Sequence, residues 1–374
     1  MAECPLCGGN AVLRSNAHPG YIATTEFSIH GCAECGVAYA EPRVEDHRVY
    51  EAIYANPGRI PGYMRYQRYA RLVAAADDPL EVLSTAEDVY WAVAQALKQG
   101  DKTDETPEVL EVGSGLGYLT YALARRGYRA TGIDISRAAV DSATARFGDL
   151  FIHADVAEFA KRNARRFDAV IACELLEHVI DPVAFVRTAL SLVKPSGQLI
   201  VTTPNRTMFS PDVLWETDLP PVHFWWYTEE SIRAIAATVG AHTEFVDFSE
   251  YQAIAPLYLP STWPSGVPTR QPILDAAGDL YRRVGIVGRA RVALGSALPI
   301  LRTNERIQRL LGRRRVDGAR RTVLCAVLGH TAPHELAFAT TPISEVIDND
   351  ADRQRPSSCN EVEVGDGDDL TRRI

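Results

Sequence analysis

Three groups of residues in this 374-residue chain have the types and spacing to do chemistry. The first is two Cys-x-x-Cys pairs, Cys4/Cys7 and Cys32/Cys35, each followed by a glycine, Gly8 or Gly36. Four thiolates at that spacing suit tetrahedral zinc with no open position, which makes the site structural. Two unrelated redox pairs are the competing reading. The second group is Glu174-Leu-Leu-Glu177-His178, with His223 further on. On a helical turn, positions i, i+3 and i+4 share a face, so Glu174, Glu177 and His178 are expected to converge. Two glutamates and two histidines can hold a divalent metal, magnesium or manganese, with places left for substrate oxygens. His178 or His223 can instead serve as a general base or shape a pocket. The third group is the loop Gly113-Ser-Gly115-Leu-Gly117, entered through Glu111 and followed downstream by Asp134 and Asp155. Glycines let a ligand come close to backbone amides. Asp134 suits the two hydroxyls of an unphosphorylated ribose, and Asp155 an adenine amino group. Such a set fits a nucleoside ligand without phosphates.

These residues need a βα repeat to position them. Val109, Leu110 and Val112 form a short apolar run of the kind a buried parallel strand requires. The glycine loop follows at once, and Leu119 to Arg126 has helical spacing with Gly127 as a stop. Further strands are expected at Ala130–Ile133, Leu150–His153, Asp168–Cys173, Leu199–Thr203, Thr243–Phe248 and Thr322–Leu328, the last antiparallel. Ser136 and Thr228 are placed to cap helices. In an open sheet of this kind ligands bind at the carboxyl ends of the strands, where all of the third group and Glu174 to His178 fall. Tyr118 occupies the sixth place of the glycine pattern, where the dinucleotide fingerprint has glycine.

The stretches Glu-Val-Gly-Ser-Gly-Leu-Gly, Gly-Ile-Asp-Ile-Ser, His-Ala-Asp-Val, Phe-Asp-Ala-Val-Ile-Ala-Cys-Glu and Leu-Val-Lys-Pro-Ser-Gly-Gln-Leu-Ile-Val come in the order of the class I S-adenosylmethionine-dependent methyltransferases, which the chain resembles. The resemblance implies an α/β fold with a doubly wound, Rossmann-like seven-stranded sheet. It implies S-adenosylmethionine as cofactor, with Glu111, Gly113, Gly115, Gly117, Asp134, Ile135, Asp155, Val156 and Cys173 around it. The Glu-x-x-Glu-His turn with a distant histidine is similar to that of small-RNA 2′-O-methyltransferases, although Trp226 stands where those carry an acid. The turn alone is similar to that of 3-demethylubiquinol O-methyltransferase. Zinc-ribbon methyltransferases of this layout resemble enzymes of bacterial sugar, polysaccharide or secondary-metabolite pathways, and some sugar C-methyltransferases carry a similar ribbon. The expected reaction is O-methylation of a small-molecule, sugar or lipid-linked acceptor. The alternatives are a metal-dependent RNA 2′-O-methyltransferase, a sugar C-methyltransferase and a non-enzymatic zinc scaffold.

In chain order, residues 1–40 read as a zinc ribbon with Tyr21 to Ile29 as a strand and with His18 and His30 on the surface. Residues 41–107 read as a linker and helical lid in which Tyr50, Tyr54, Tyr63, Tyr66 and Tyr69 recur among arginines. Residues 108–251 form the core, in which Phe224 to Tyr227 is either a substrate wall or a packed hinge. Residues 252–320 form a basic helical insertion before the last strand, with twelve arginines from Tyr281 to Arg321 against Glu305 and Asp317. That insertion suits a solvated cap, anionic lipid or RNA phosphates. Residues 321–344 hold the final strand, and 345–374 an acidic disordered tail. The net charge of −9 does not advertise nucleic-acid binding by the chain as a whole. No window of about 18 apolar residues is present, so no membrane span is expected. Cys4 and Cys7 lie where a signal peptide needs apolar residues, and seven cysteines without one suit thiols in a reducing cytoplasm.

Overall fold

A computed structural model describes residues 2–55, 63–100, 106–209, 219–262, 272–280, 305–316 and 318–330. The chain begins with four antiparallel strands, β1 (Ala2–Glu3), β2 (Asn10–Pro19), β3 (Glu26–Cys32) and β4 (Ala38–Glu41). Gly8 and Gly36 take the left-handed backbone that each cysteine knuckle needs, at φ +73° and +70°. The strand expected from Tyr21 starts only at Glu26. Gly20 and Thr25 close a tight turn instead, and this drops Tyr21 and Ile22 into a cluster with Leu219, Val222 and Leu274. His18 is not on the surface: it is 2% exposed, with Nδ1 against the Pro19 carbonyl. His30 is half-buried and stacks on Tyr39.

Helices α1 (His47–Ala55), α2 (Met64–Ala74), α3 (Pro79–Ala86) and α4 (Asp88–Gly100) follow. Asp78 caps α3 by accepting from the Glu81 amide, and Pro79 fills the first helical position. The parallel core then alternates: β5 (Glu108–Val112), α5 (Tyr118–Arg125), β6 (Arg129–Asp134), α6 (Arg137–Phe147), β7 (Phe151–His153), α7 (Val156–Asn163), β8 (Phe167–Cys173), α8 (Pro182–Leu192) and β9 (Val193–Pro204). Next come β10 (Trp225–Trp226), α9 (Glu229–Val239), β11 (Ala241–Phe245), α10 (Ser249–Ile254), β12 (Leu257–Pro260), α11 (Glu305–Leu310), β13 (Arg313–Val316) and β14 (Val323–His330).

The seven-stranded sheet has the order β11-β14-β9-β8-β5-β6-β7. Its five central and β7-side strands are parallel, and β14 runs antiparallel between β9 and β11. The strand order reverses between β5 and β8, which is where an open sheet leaves a crevice. Alternation along the strands sorts the two faces. Leu110, Val112, Val170, Ala172, Leu199 and Val201 face α8 and α9. Val109, Ala169, Ile171, Ile200 and Val323 face the α2–α5 layer. Ser136 and Thr228 cap α6 and α9 as expected. The sixth strand ends at Phe245, short of Phe248, because Gly240 in a left-handed C-cap starts it early and Phe248 leaves the sheet to pack on Trp91.

The N-terminal module does not stand apart. Its sheet takes a fifth strand from the core, with Trp225 opposite Tyr39 and Trp226 opposite Ala38. Phe224, Trp225, Trp226 and Tyr227 are all buried to 2% exposure or less. The aromatic run is therefore the packed hinge and not a substrate wall. The insertion is not wholly helical either: β12 and β13 pair antiparallel, so Arg313, Arg314 and Arg315 lie on a strand. Tyr54's side chain, the loop 101–105, residues 281–304 and the acidic tail 345–374 lie outside the described residues. Among those described, no helix is long and apolar enough to cross a membrane.

Thr228 joins module and core. Its Oγ1 accepts from the Ser231 amide and donates to the Cys35 carbonyl at 2.6 Å, both buried. Thr228→Val removes a helix cap and orphans a buried carbonyl, so urea denaturation is expected to show a loss of roughly 2–4 kcal/mol.

Candidate functional site

The glycine loop turns sharply out of β5. Gly113, Gly115 and Gly117 all have positive φ, at +75°, +50° and +77°. A Cβ on Gly113 would lie 2.9 Å from the Leu175 side chain, and one on Gly117 2.5 Å from Phe151. A Cβ on Gly115 would meet nothing within 4 Å, so this part of the loop faces open space that a ligand can enter. The Asp134 carboxylate accepts from the Gly115 and Ser136 amides, both at 2.8 Å, and so braces the loop against the start of α6. Burial raises its pKa. Ile135 beside it is 70% exposed, an apolar side chain presented at the carboxyl edge of the sheet. Asp155 caps α7 by accepting from the Ala157 and Glu158 amides through Oδ1, and Val156 opens that helix half-buried. Glu111 lies inside β5, where it accepts a short hydrogen bond from Thr120 Oγ1. Burial pushes its carboxyl up to about 8. Cys173 accepts from Thr202 Oγ1 at 3.5 Å, and burial holds its thiol well above the usual range.

The second group converges only in part. The chain beyond β8 forms a three-residue 3-10 turn, Leu176–His178, and not a helical turn from Glu174. Glu174 is left-handed, at φ +51°, and its amide bonds back to Thr202. Its carboxyl is thereby turned away from the cluster, toward the electrostatic reach of Arg65 on α2. Burial pushes it up to about 7, with Arg65 opposing. Its Oε1 makes no hydrogen bond among the described residues. Glu177, His178 and His223 do come together, with one ligand atom from each lying within 4.8 Å of the others. Glu177 is 1% exposed and its Oε1 lies 3.9 Å from His178 Nε2. The His178 and His223 rings meet edge to face at 4.7 Å. His178 Nδ1 donates to the Val222 carbonyl at 2.6 Å. A carbonyl only accepts, so the proton of the neutral ring sits on Nδ1 and Nε2 keeps its lone pair.

The four cysteine sulfurs also meet. Cys4 and Cys35 are 3.8 Å apart and Cys7 and Cys32 3.5 Å, all four within 4.8 Å of one another. These are too long for disulfides. They match the edge of roughly 3.8 Å that four sulfurs at about 2.3 Å from one ion would have. Burial pushes the Cys4 thiol up to about 11, a cost that a shared cation would offset.

Several residues at the site carry no motif. Tyr118 and Tyr90 share a 2.6 Å hydroxyl contact beside the glycine loop. Thr120 holds Glu111, and Leu175 wedges against Gly113. Val222 matters through its carbonyl, which no side-chain pattern reports. Only Tyr118 left a signal, as the residue that breaks the dinucleotide fingerprint.

Residues 86–243 match a family model described as a methyltransferase domain. A ubiquinone biosynthesis O-methyltransferase from Alkalilimnicola ehrlichii is 43% identical over 109 residues, 27% of this chain and 43% of that protein. Another from Xanthomonas campestris pv. campestris is 40% identical over 134 residues, 34% of this chain and 53% of that protein. The chain spans about half the length of the curated relatives it matches. A solved SAM-dependent methyltransferase from Archaeoglobus fulgidus aligns at 18% identity and a TM-score of 0.36, over 64% of this chain and 93% of that one.

The buried carboxyls make stability depend on pH. A carboxyl whose pKa is raised on folding holds its proton more tightly in the folded state. Its contribution is complete below the unfolded value and is lost as pH rises through the folded one. For Glu111 that window runs from 4.5 to about 8. The melting temperature of the ligand-free protein is expected to fall between pH 5 and 8 in differential scanning fluorimetry. Glu111→Gln should flatten the fall, leaving the share contributed by Glu174.

Proposed function

We propose that this chain, whose residues 86–243 match a methyltransferase-domain model, is a class I S-adenosylmethionine-dependent methyltransferase that transfers a methyl group to an oxygen of a small-molecule, sugar or lipid-linked acceptor. The observation that carries the reading is the His178 ring, fixed through Nδ1 on the Val222 carbonyl with Nε2 turned toward Glu177 Oε1 at 3.9 Å. A hydroxyl acceptor must lose a proton as it is methylated, and an imidazole so oriented is the group to take it. The names of the relatives, O-methyltransferases, favour oxygen over carbon.

The cofactor, when bound, supplies a sulfonium methyl carbon; the new C–O bond forms as the C–S bond breaks, and the electron pair stays on sulfur. The chain's own part is alignment. The open face at Gly115, turned outward between Gly113 and Gly117, would receive the cofactor, and Asp134 would accept from its ribose hydroxyls. Ile135 and Val156 would flank the adenine, and Asp155 would accept from its amino group through the oxygen that does not cap α7. Glu111 and Cys173 would bound the end nearest the sulfonium. His178 Nε2 takes the acceptor proton, with Glu177 beside it to stabilise the imidazolium that results.

The cluster also suits a divalent cation. Two imidazoles and one carboxylate are donors for a first-row transition ion, manganese among them, and not for magnesium, which takes oxygen ligands; three donors leave positions for acceptor oxygens. An ion held by Glu177, His178 and His223 would lower the pKa of the acceptor hydroxyl. Glu174, turned away, is no part of that set. Cys4, Cys7, Cys32 and Cys35 would hold a structural zinc that stabilises a module too small to fold on a core of its own.

Calorimetry is expected to show S-adenosylmethionine binding, weakened by about 1–3 kcal/mol in Asp134→Ala, and elemental analysis about one zinc per chain. Against a panel of phenols, sugars and isoprenoid quinols, His178→Ala should keep cofactor affinity and lose roughly 10²–10⁴ in turnover. Unchanged turnover would remove His178 from the reaction. Manganese binding that disappears in Glu177→Gln would identify the cation site, and turnover indifferent to chelation of that cation would reject it.

A further inference from the structure

The residues from Glu305 to Val316 keep an apolar pair in water. Leu310 and Leu311, at the end of α11, are 87% and 62% exposed. Five exposed arginines surround them: Arg306 and Arg309 before, Arg313, Arg314 and Arg315 after, with Glu305 as the one acid in the segment. Arg309 is paired with Glu305, and Arg313 reaches Gln308 at 3.4 Å. The leucines cannot swing freely, because Ser261 donates to the Gly312 carbonyl and closes the β12–β13 ribbon next to them. Tyr258 lies across that ribbon from Arg315. Other arginines of the same basic stretch serve the fold. Arg320 makes a two-pronged bond to Glu229, and the buried Arg321 meets Asp88 and Gln252.

We propose that this knob seats the protein on an anionic lipid surface. The chain as a whole carries −9 and would be repelled by such a surface. Only a face that concentrates positive charge can overcome that, and it would also fix the orientation of the molecule. Leu310 and Leu311 enter the boundary between headgroups and acyl chains, and the arginines lay their aliphatic stems beside them with guanidinium groups at the phosphates. Nucleic acid would satisfy the same arginines but offers the two leucines no apolar phase, so lipid fits the whole segment and RNA only part of it. The inference stands independently of the methyl-transfer reading.

The test is sedimentation of the full chain with sucrose-loaded vesicles of phosphatidylcholine, alone or with a third of the lipid replaced by phosphatidylglycerol. The wild type is expected to partition onto the anionic vesicles and to be released by raised salt. Replacing Arg313, Arg314 and Arg315 together by glutamine should weaken partitioning about a hundred-fold. Leu310→Asn with Leu311→Asn should weaken it about ten-fold, with the melting temperature unchanged because both side chains already face water. Equal sedimentation with both vesicle types, or leucine variants that bind as tightly as wild type, overturns the proposal. So does retention on homopolymeric RNA without vesicle binding.

Discussion

A three-residue 3-10 turn cannot hold two polar side chains in a fixed geometry by its own backbone. The turn that carries Glu177 and His178 is instead held from outside by four hydrogen bonds from one segment. His178 Nδ1 donates to the Val222 carbonyl, and the Phe224 amide to the Glu177 carbonyl at 2.9 Å. Trp225 Nε1 donates to the Val179 carbonyl, and the Tyr227 hydroxyl to that of Leu176. Each replaces water on a buried group, so losing one costs more than making it gains. The segment that provides them is fixed in turn by pairing with β4 and by the Thr228 bond to Cys35. The geometry of the acid–imidazole cluster thus rests on the small N-terminal sheet.

The two halves of the site have different foundations. The glycine-loop half is a local product of β5, β6 and the loop between strand and helix. The histidine half is assembled from residues far apart in sequence, and Leu175 against Gly113 is where the halves touch. Glu174 lies at that joint. Its left-handed backbone costs energy in a non-glycine residue, and such strain is found where surrounding structure over-determines it. Here the double bond of its amide to Thr202 does so. Glu111, Asp134 and Glu174 are all carboxyls raised by burial on this side of the sheet. A site so lined gains most from a ligand that brings positive charge.

What could be read from the sequence was what is decided locally. Buried parallel strands, the glycine loop and the caps at Ser136 and Thr228 follow from runs and periods of a few residues, and all are present. The methyltransferase signature belongs to the same class. Trp225–Trp226 could not be read as a strand, because a two-residue strand has no period and its partner lies near the other end of the chain. Glu174 was misplaced because spacing alone puts i, i+3 and i+4 on one face. A single left-handed residue at the strand exit breaks that rule without marking the sequence. The β12–β13 ribbon was hidden by a mixture of arginine and aliphatic residues that fits either period.

The fifth strand of the N-terminal sheet has a consequence for how the protein is made. Tyr39 and its neighbours leave the ribosome roughly ten to forty seconds before Trp225 and Trp226 at ordinary elongation rates. During that interval β4 is an uncovered strand edge, with amides and carbonyls open to other chains. The wait cannot be shortened by faster local folding, since the missing partner has not yet been translated. Although it precedes the parallel core in the chain, the cysteine module is completed only after that core's five parallel strands have been made.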